Sequence, residues 1–208
     1  MKKIFLTACL YLVALFFAHC TGDAKTEMFQ TFKQGVSADV FALLPFSTSQ
    51  DMVKATYMRT VAPALFERFG YCGFDVIYTY NKEQFTKATN YLDSKKIAVY
   101  SSEDNCRIVL PDPEYTHKMN CSGVYYPVPP AYFPNIDPNT KKDNMVSTTN
   151  LKYYVLTYKE GVFVNGADTL QPRATRPDLR GNTFPHGFTN GAIVDSQKLR
   201  IDYWILIW

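Results

Sequence analysis

The chain has 208 residues, of which 47% are hydrophobic, 20% charged and 15% aromatic. This is enough apolar material for one folded domain with a real core, and it excludes a disordered chain or a fibrous repeat. The formal net charge is only +3. A dedicated nucleic-acid binder is usually far more basic, so no nucleic-acid partner is expected.

The N-terminus carries the strongest signal in the sequence. Lys2 and Lys3 precede an apolar run from Ile4 to Ala18 that only Thr7 interrupts. Such a run spans roughly 22 Å as a helix, whereas the hydrocarbon core of a bilayer is about 30 Å thick. The pattern therefore predicts a signal peptide over residues 1–19 and not a membrane-spanning helix.

Residues 17–20, Phe-Ala-His-Cys, and the small polar residues 21–23 that follow resemble the lipobox of bacterial lipoproteins. That family usually has Leu where Phe17 stands and Gly, Ala or Ser where His19 stands. The resemblance implies that Cys20 becomes the lipidated first residue and anchors the protein in a bacterial cell envelope, with the outer membrane favoured. The alternative is ordinary secretion after cleavage before Thr21.

Three cysteines remain if Cys9 leaves with the signal peptide and Cys20 is acylated. Cys106 and Cys121 bracket a segment rich in turn-forming residues, and an exported chain can oxidise them. Joining them would close a loop of about 15 residues and stabilise the fold by roughly 3 kcal/mol, so this pair is the preferred disulfide. Cys72 is then left as a buried free thiol.

The elements before residue 110 alternate between predicted strands and helices. We interpret residues 20–37 as a lipidated tether without strong structure and residues 38–208 as a single domain. Within the domain the apolar patterns predict these elements in order: a strand at 39–46, a helix at 53–69, a strand at 74–80, a helix from Asn81 to about 92 and a strand at 97–100. Such alternation is typical of crossover units, which build parallel or mixed sheets.

A proline-rich segment occupies residues 111–150 and cannot form one regular element, because it holds seven of the twelve prolines. Its aromatic side chains offer a binding surface for a sugar ring or a peptide. The alternative is that they fold back and anchor the segment to the domain. The residues concerned are Tyr125, Tyr126, Tyr132 and Phe133.

The C-terminal third predicts antiparallel hairpins. Residues 151–158 and 162–164 flank a turn at Gly161, and residues 192–194 and 199–208 flank a second turn. The last strand becomes apolar on both faces near its end, which indicates burial on both sides. The fold class expected is therefore α/β (α+β): one domain with a mixed sheet flanked by helices, a long proline-rich loop and C-terminal hairpins.

No glycine-rich phosphate loop, nucleophile elbow or zinc-binding helix motif is present in the sequence. Hence we expect no cofactor, metal site or catalytic residue. A thiol nucleophile formed by Cys72 with His117 or His186 stays an alternative, as do carboxylates such as Asp75 and Glu103 brought together by folding. Arg173, Arg176 and Arg180 are interpreted as residues of a solvated loop; the alternative is that they bind a phosphate or an acidic partner.

One further resemblance rests on Cys20, on residues 40–46 (Val-Phe-Ala-Leu-Leu-Pro-Phe), on the strand at 74–80 and on residues 192–195 (Ala-Ile-Val-Asp). Together they resemble envelope lipoproteins related to the curli-secretion lipoprotein and the N-terminal domain of TolB. The resemblance implies recognition or assembly in the envelope. We therefore expect a lipid-anchored protein that binds an envelope protein or polymer without catalysis; the alternatives are an exported hydrolase or thiol enzyme and a glycan-binding module.

Overall fold

The computed structural model describes residues 20–66, 70–104, 108–109, 126–131, 150–167 and 186–208. In these ranges the strands are β1 (Tyr57–Val61), β2 (Cys72–Thr79), β3 (Ala98–Ser101), β4 (Ile108–Val109), β5 (Pro127–Val128), β6 (Lys152–Glu160), β7 (Gly187–Asp195) and β8 (Arg200–Ile207). The α-helices are α1 (Cys20–Gly35), α2 (Ser49–Val53) and α3 (Lys82–Lys95). In this part of the chain, no helix has both the length and the apolar character needed to cross a membrane.

Six of these strands form one sheet in the order β1-β2-β8-β7-β6-β3. Helices pack against this sheet in a single domain, so the predicted α/β class is confirmed. All the neighbouring pairs in the sheet are antiparallel, which differs from the parallel or mixed sheet expected from crossover units. The only parallel pair described is β4 with β5, outside the six-stranded sheet. The helix α3 thus joins strands at separate places in an antiparallel sheet, since β2 and β3 are not neighbours.

The prediction that residues 20–37 form a tether without strong structure is wrong, because most of them form the helix α1. Its 16 residues are continuous from Cys20 to Gly35, and Phe29 and Phe32 are almost completely buried. These two residues are three positions apart, which places them on one side of the helix, and the buried Val36 follows directly after its last residue. The polar residues around them obscured this apolar stripe in the sequence.

The predicted strand at 39–46 is wrong, because residues Ala38–Phe41 form a 3-10 helix and Leu43 has a φ of 61°. The carbonyl oxygens of Val40 and Ala42 accept hydrogen bonds from Nδ2 of Asn190 at 2.8 and 2.7 Å. A buried side chain thus satisfies two backbone groups that a strand ladder would have used.

The predicted helix at 53–69 is also wrong, since its central part is the strand β1. Met58 pairs with Val76 and Arg59 with Asp75 in the register of β1 and β2. The spacing of four between Tyr57 and Val61 suggested a helix, but four residues are also two repeats of a strand. The β-branched residues Thr60 and Val61 favour the strand.

The predicted strand at 74–80 and the predicted helix after Asn81 are confirmed as β2 and α3. The capping interaction at the start of α3 is also present. The backbone N–H of Gln84 donates to Oδ1 of Asn81 at 2.9 Å, and the backbone N–H of Asn81 donates to Oε1 of Gln84 at 3.3 Å. These local bonds fix the first turn of the helix.

Of the two predicted C-terminal hairpins, only the second is confirmed. β7 and β8 pair along their full length, and Oδ1 of Asp195 accepts hydrogen bonds from the backbone N–H groups of Gln197 and Lys198 in the turn. Residues 162–164 were expected to pair with β6. Instead, Val164 forms an isolated bridge with Val36, next to the end of α1. The partner of β6 on this side is β7.

The sheet is buried on both faces, which we call the helical face and the opposite face. α1 and α3 cover the helical face, whose core includes Phe29, Phe74, Leu92, Tyr154 and Tyr203. The short pair β4 and β5 and residues 126–131 pack on the opposite face, whose core includes Ile77, Val128, Ile193, Trp204 and Trp208. Every residue of β8 is buried, as the apolar end of this strand indicated.

Candidate functional site

The opposite face of the sheet holds a buried group of polar side chains, which we call the acidic cluster: Arg59, Asp75, Asp202 and Trp204. Its members come from β1, β2 and β8, three neighbouring strands. Arg59 lies directly across from Asp75, and Asp75 lies directly across from Trp204. Asp202 shares this face because it is two residues before Trp204 on the same strand. The register of three strands therefore concentrates two carboxyl groups in an otherwise apolar layer.

Arg59 partly neutralises one of the two carboxyl groups. Its Nε donates to Oδ2 of Asp75 at 2.7 Å, and its Nη2 also donates to that oxygen. The side chain of Arg59 keeps 35% of its surface exposed, whereas that of Asp75 keeps 11%. Burial raises the pKa of Asp75, and the adjacent guanidinium opposes this rise.

Asp202 lacks such a partner among the residues that the structure describes. The residue is only 1% exposed, and no hydrogen bond reaches its Oδ1 from this part of the chain. Burial, reinforced by the nearby charge of Asp75, raises the pKa of Asp202 well above its usual range, although Arg59 lowers it somewhat. This environment favours the protonated form of the Asp202 carboxyl group.

Trp204 supplies a second unsatisfied group to the same face. It is fully buried, and in the described ranges its Nε1–H has no acceptor. A buried donor and a buried acceptor two residues apart could be bridged by a water molecule, since water commonly satisfies such groups inside proteins. The acidic cluster thus combines a carboxyl group with a raised pKa and an unsatisfied indole N–H on one buried face.

Sequence reasoning missed this cluster, apart from naming Asp75 as one carboxylate that folding could pair. The sequence places Asp202 on the polar side of an alternating strand, which suggested contact with solvent. One signal pointed the other way, because Trp204, Leu206 and Trp208 continue the same side of the strand with large apolar groups. A carboxyl group at the start of such a row lies beside a buried surface.

The alternative pairing of Asp75 with Glu103 is wrong. Glu103 is exposed in the turn after β3, whereas Asp75 is buried on β2. Four strand spacings separate β2 from β3 in the sheet, which amounts to about 19 Å. These two carboxylates therefore cannot act on one substrate atom in this structure.

Cys72 is a buried free thiol, as the sequence analysis preferred. It is completely buried at the start of β2, within the core of the helical face, and burial raises the pKa of its thiol to about 12. A thiol nucleophile reacts as the thiolate, so this environment opposes the thiol-enzyme alternative. Of the two candidate bases, His186 has its Nδ1 at 3.1 Å from the carbonyl oxygen of Trp208, and His117 lies outside the described residues.

Tyr126 is the one member of the predicted aromatic surface that the structure describes, and it is anchored to the domain. Its backbone N–H donates to the hydroxyl of Tyr100 at 3.1 Å. Its ring lies 5.2 Å from the ring of Tyr158, which in turn stacks on Trp208. Thr189 fixes the next residue, because its hydroxyl donates to the carbonyl oxygen of Pro127 at 2.6 Å. For Tyr126, these contacts agree with the anchoring interpretation.

Several predicted residues lie outside the described ranges. These are the signal peptide at 1–19, the proposed disulfide partners Cys106 and Cys121, the aromatic residues Tyr125, Tyr132 and Phe133, and the arginines Arg173, Arg176 and Arg180. Cys20 is described as the first residue of α1. In the described ranges, no three His, Cys, Asp or Glu side chains converge in a way that could hold a metal ion.

Comparison with protein-family models, with curated proteins and with solved structures found no match for this chain.

Proposed function

We propose that this chain is a lipid-anchored protein of a bacterial cell envelope, which acts by binding or assembling with another envelope component and not by catalysis. One observation carries the proposal: Lys2 and Lys3, the apolar run to Ala18 and then Cys20 follow the sequence pattern of a signal peptide with a lipobox-like end. Diacylated cysteine holds a protein on a membrane without a spanning helix, because two acyl chains together give stable binding.

The position of Cys20 in the fold supports this proposal. α1 begins at Cys20, and Phe29 on the same helix belongs to the core of the helical face. A lipid on Cys20 would therefore be attached to the folded domain through nine residues of helix. The link to the membrane is part of the domain.

A binding role is supported by the edge of the sheet at β3. β3 is the last strand in the described sheet order, and the apolar side chains of Ile97 and Val99 beside this edge are 50% and 39% exposed. An open strand edge offers backbone donors and acceptors to an added strand of a partner. The alternative of a thiol enzyme is disfavoured, because burial raises the pKa of the Cys72 thiol.

Replacement of the anchor residue tests the proposal. The full chain is expressed in a diderm bacterium with labelled palmitate, and its membranes are extracted by detergent-phase partitioning. We expect the wild type to carry label and enter the detergent phase, and Cys20→Ala to lose both properties. Cys9→Ala is the matched control, because Cys9 lies in the apolar run and is expected to leave with the signal peptide. An unlabelled wild type, or a Cys20→Ala variant that partitions like the wild type, would refute the anchor.

A further inference from the structure

One end of the domain is built from the first turns of α1 and the end of α2. Nζ of Lys25 donates to the carbonyl oxygen of Ala55 at 2.6 Å, and Nε2 of Gln30 contacts Oγ of Ser49. These two bonds hold the middle of α1, from Lys25 to Gln30, against residues 49–55. The segment that follows Cys20 is thus fixed beside α2.

Val53 is the most exposed large apolar side chain in the described ranges, with 63% of its surface accessible. It is the last residue of α2, and the exposed Lys54 follows it. Ala55, which accepts the hydrogen bond from Lys25, is two residues after Val53. Val53 and Lys54 therefore lie at the same end of the domain as the start of α1. An exposed valine beside a lysine suits the boundary between headgroups and acyl chains, where an apolar side chain is buried and an ammonium group stays in water.

The length of helix between anchor and core decides how far this end can lie from a membrane. Nine residues separate Cys20 from the buried Phe29, which is about 14 Å in a helix, whereas an extended tether of the same length reaches about 30 Å. Lys25 is only about 8 Å along the helix from Cys20. An acylated Cys20 therefore keeps residues 53 and 54 close to the headgroups.

The opposite end of α1 supplies a natural reference point. The backbone N–H of Ser37 donates to the carbonyl oxygen of Phe163 at 2.8 Å, so the exposed Val162 lies beyond the C-terminus of α1. The 16 residues of α1 span about 24 Å. Val53 and Val162 are thus two exposed valines at opposite ends of one helix.

We propose that the surface formed by Val53 and Lys54 lies against the lipid headgroups of the bilayer in which Cys20 is anchored, while Val162 points away from it. This inference rests on the proposed lipid anchor at Cys20. Charge is not the cause of the contact, because the ionic residues nearby carry no excess of positive charge: Lys25 and Lys54 stand against Glu27 and Asp51, and Asp23 is in the first turn of α1. The contact follows from the short helical link.

Photocrosslinking to lipid tests this orientation. The acylated protein, processed so that Cys20 is its first residue, carries p-benzoylphenylalanine in place of Val53 or, as the matched control, in place of Val162, and each protein is reconstituted in phosphatidylcholine vesicles. After irradiation, the yield of phospholipid adduct is measured by mass spectrometry. We expect a yield several-fold higher at position 53 than at position 162, and no loss of that difference when phosphatidylglycerol is added.

Vesicle flotation of the same samples separates the two ways in which this can fail. Protein that does not float refutes the anchor at Cys20 and the orientation with it. Protein that floats but gives equal adduct at both positions, or more at position 162, refutes the orientation and leaves the anchor standing. An adduct at position 53 that needs phosphatidylglycerol would show that charge, and not the short helical link, brings this end to the membrane.

Discussion

Asp202→Asn is the substitution that tests the acidic cluster most directly. In the folded chain Asp202 is 1% exposed, and Arg59, the cation that lowers its pKa somewhat, is bonded to Asp75. Asparagine has nearly the shape of a protonated aspartate but cannot ionise. The substitution therefore keeps the packing beside Trp204 and removes only the capacity to lose a proton.

The sign of the expected effect follows from the raised pKa of Asp202. Above the ordinary aspartate pKa of about 4, the unfolded chain has released this proton whereas the folded chain still holds it. The free energy of unfolding is then greatest at low pH and falls by about 1.4 kcal/mol for each pH unit, until the pH passes the raised pKa. The Asn variant lacks this slope, so its advantage over the wild type grows as the pH rises.

Urea unfolding of both proteins at pH 5, 6, 7 and 8 measures the difference, because titrations common to both cancel in the comparison. Glu83→Gln is the control: Glu83 is an exposed carboxylate paired with Lys87 on α3, and its loss should change stability by only a few tenths of a kcal/mol. Parallel pH profiles for the wild type and Asp202→Asn would show that Asp202 does not hold a proton in the folded chain.

Three other predictions concern the core. Phe32→Ala should lower the free energy of unfolding by about 3–5 kcal/mol in urea titrations, whereas the exposed Glu27→Ala on the same helix should change it little; equal effects would mean that α1 is not docked. Gly191→Ala should cost about 3 kcal/mol or more, because its Cβ would collide with the carbonyl oxygen of Tyr154 on β6, and a wild-type urea midpoint would contradict this close approach. Cys72 should react with iodoacetamide only in denaturant, and rapid alkylation of the native protein at neutral pH would restore the thiol-enzyme alternative.

The parts of the fold that sequence reasoning predicted correctly are those that local chemistry determines. The capping bonds between Asn81 and Gln84 are formed within one turn, so the start of α3 depends on little else. The β7–β8 hairpin likewise has a local cause, since Asp195 binds the backbone of its own turn. Such elements are determined by interactions among a few neighbouring residues, so they can be predicted without knowledge of distant contacts.

The wrong predictions occur where distant contacts decide. Residues 40 and 42 do not form the predicted strand, because their carbonyl oxygens accept hydrogen bonds from Asn190, about 150 positions away. Val164 leaves the predicted hairpin because Val36 at the end of α1 pairs with it. The acidic cluster has the same origin, since no local pattern shows that Arg59 and Asp202 occupy neighbouring parts of one buried face.

The helix α1 links the proposed anchoring to the stability of the domain. In a flexible tether, the number of residues between lipid and domain could change without effect on the core. Here the residues after Cys20 form the same helix that places Phe29 and Phe32 against Phe74 on β2, at ring distances of 5.8 and 5.3 Å. A change of helical register would move these rings, because each added residue rotates the helix by about 100°. The distance from the anchor to the domain is therefore fixed by the packing of the core.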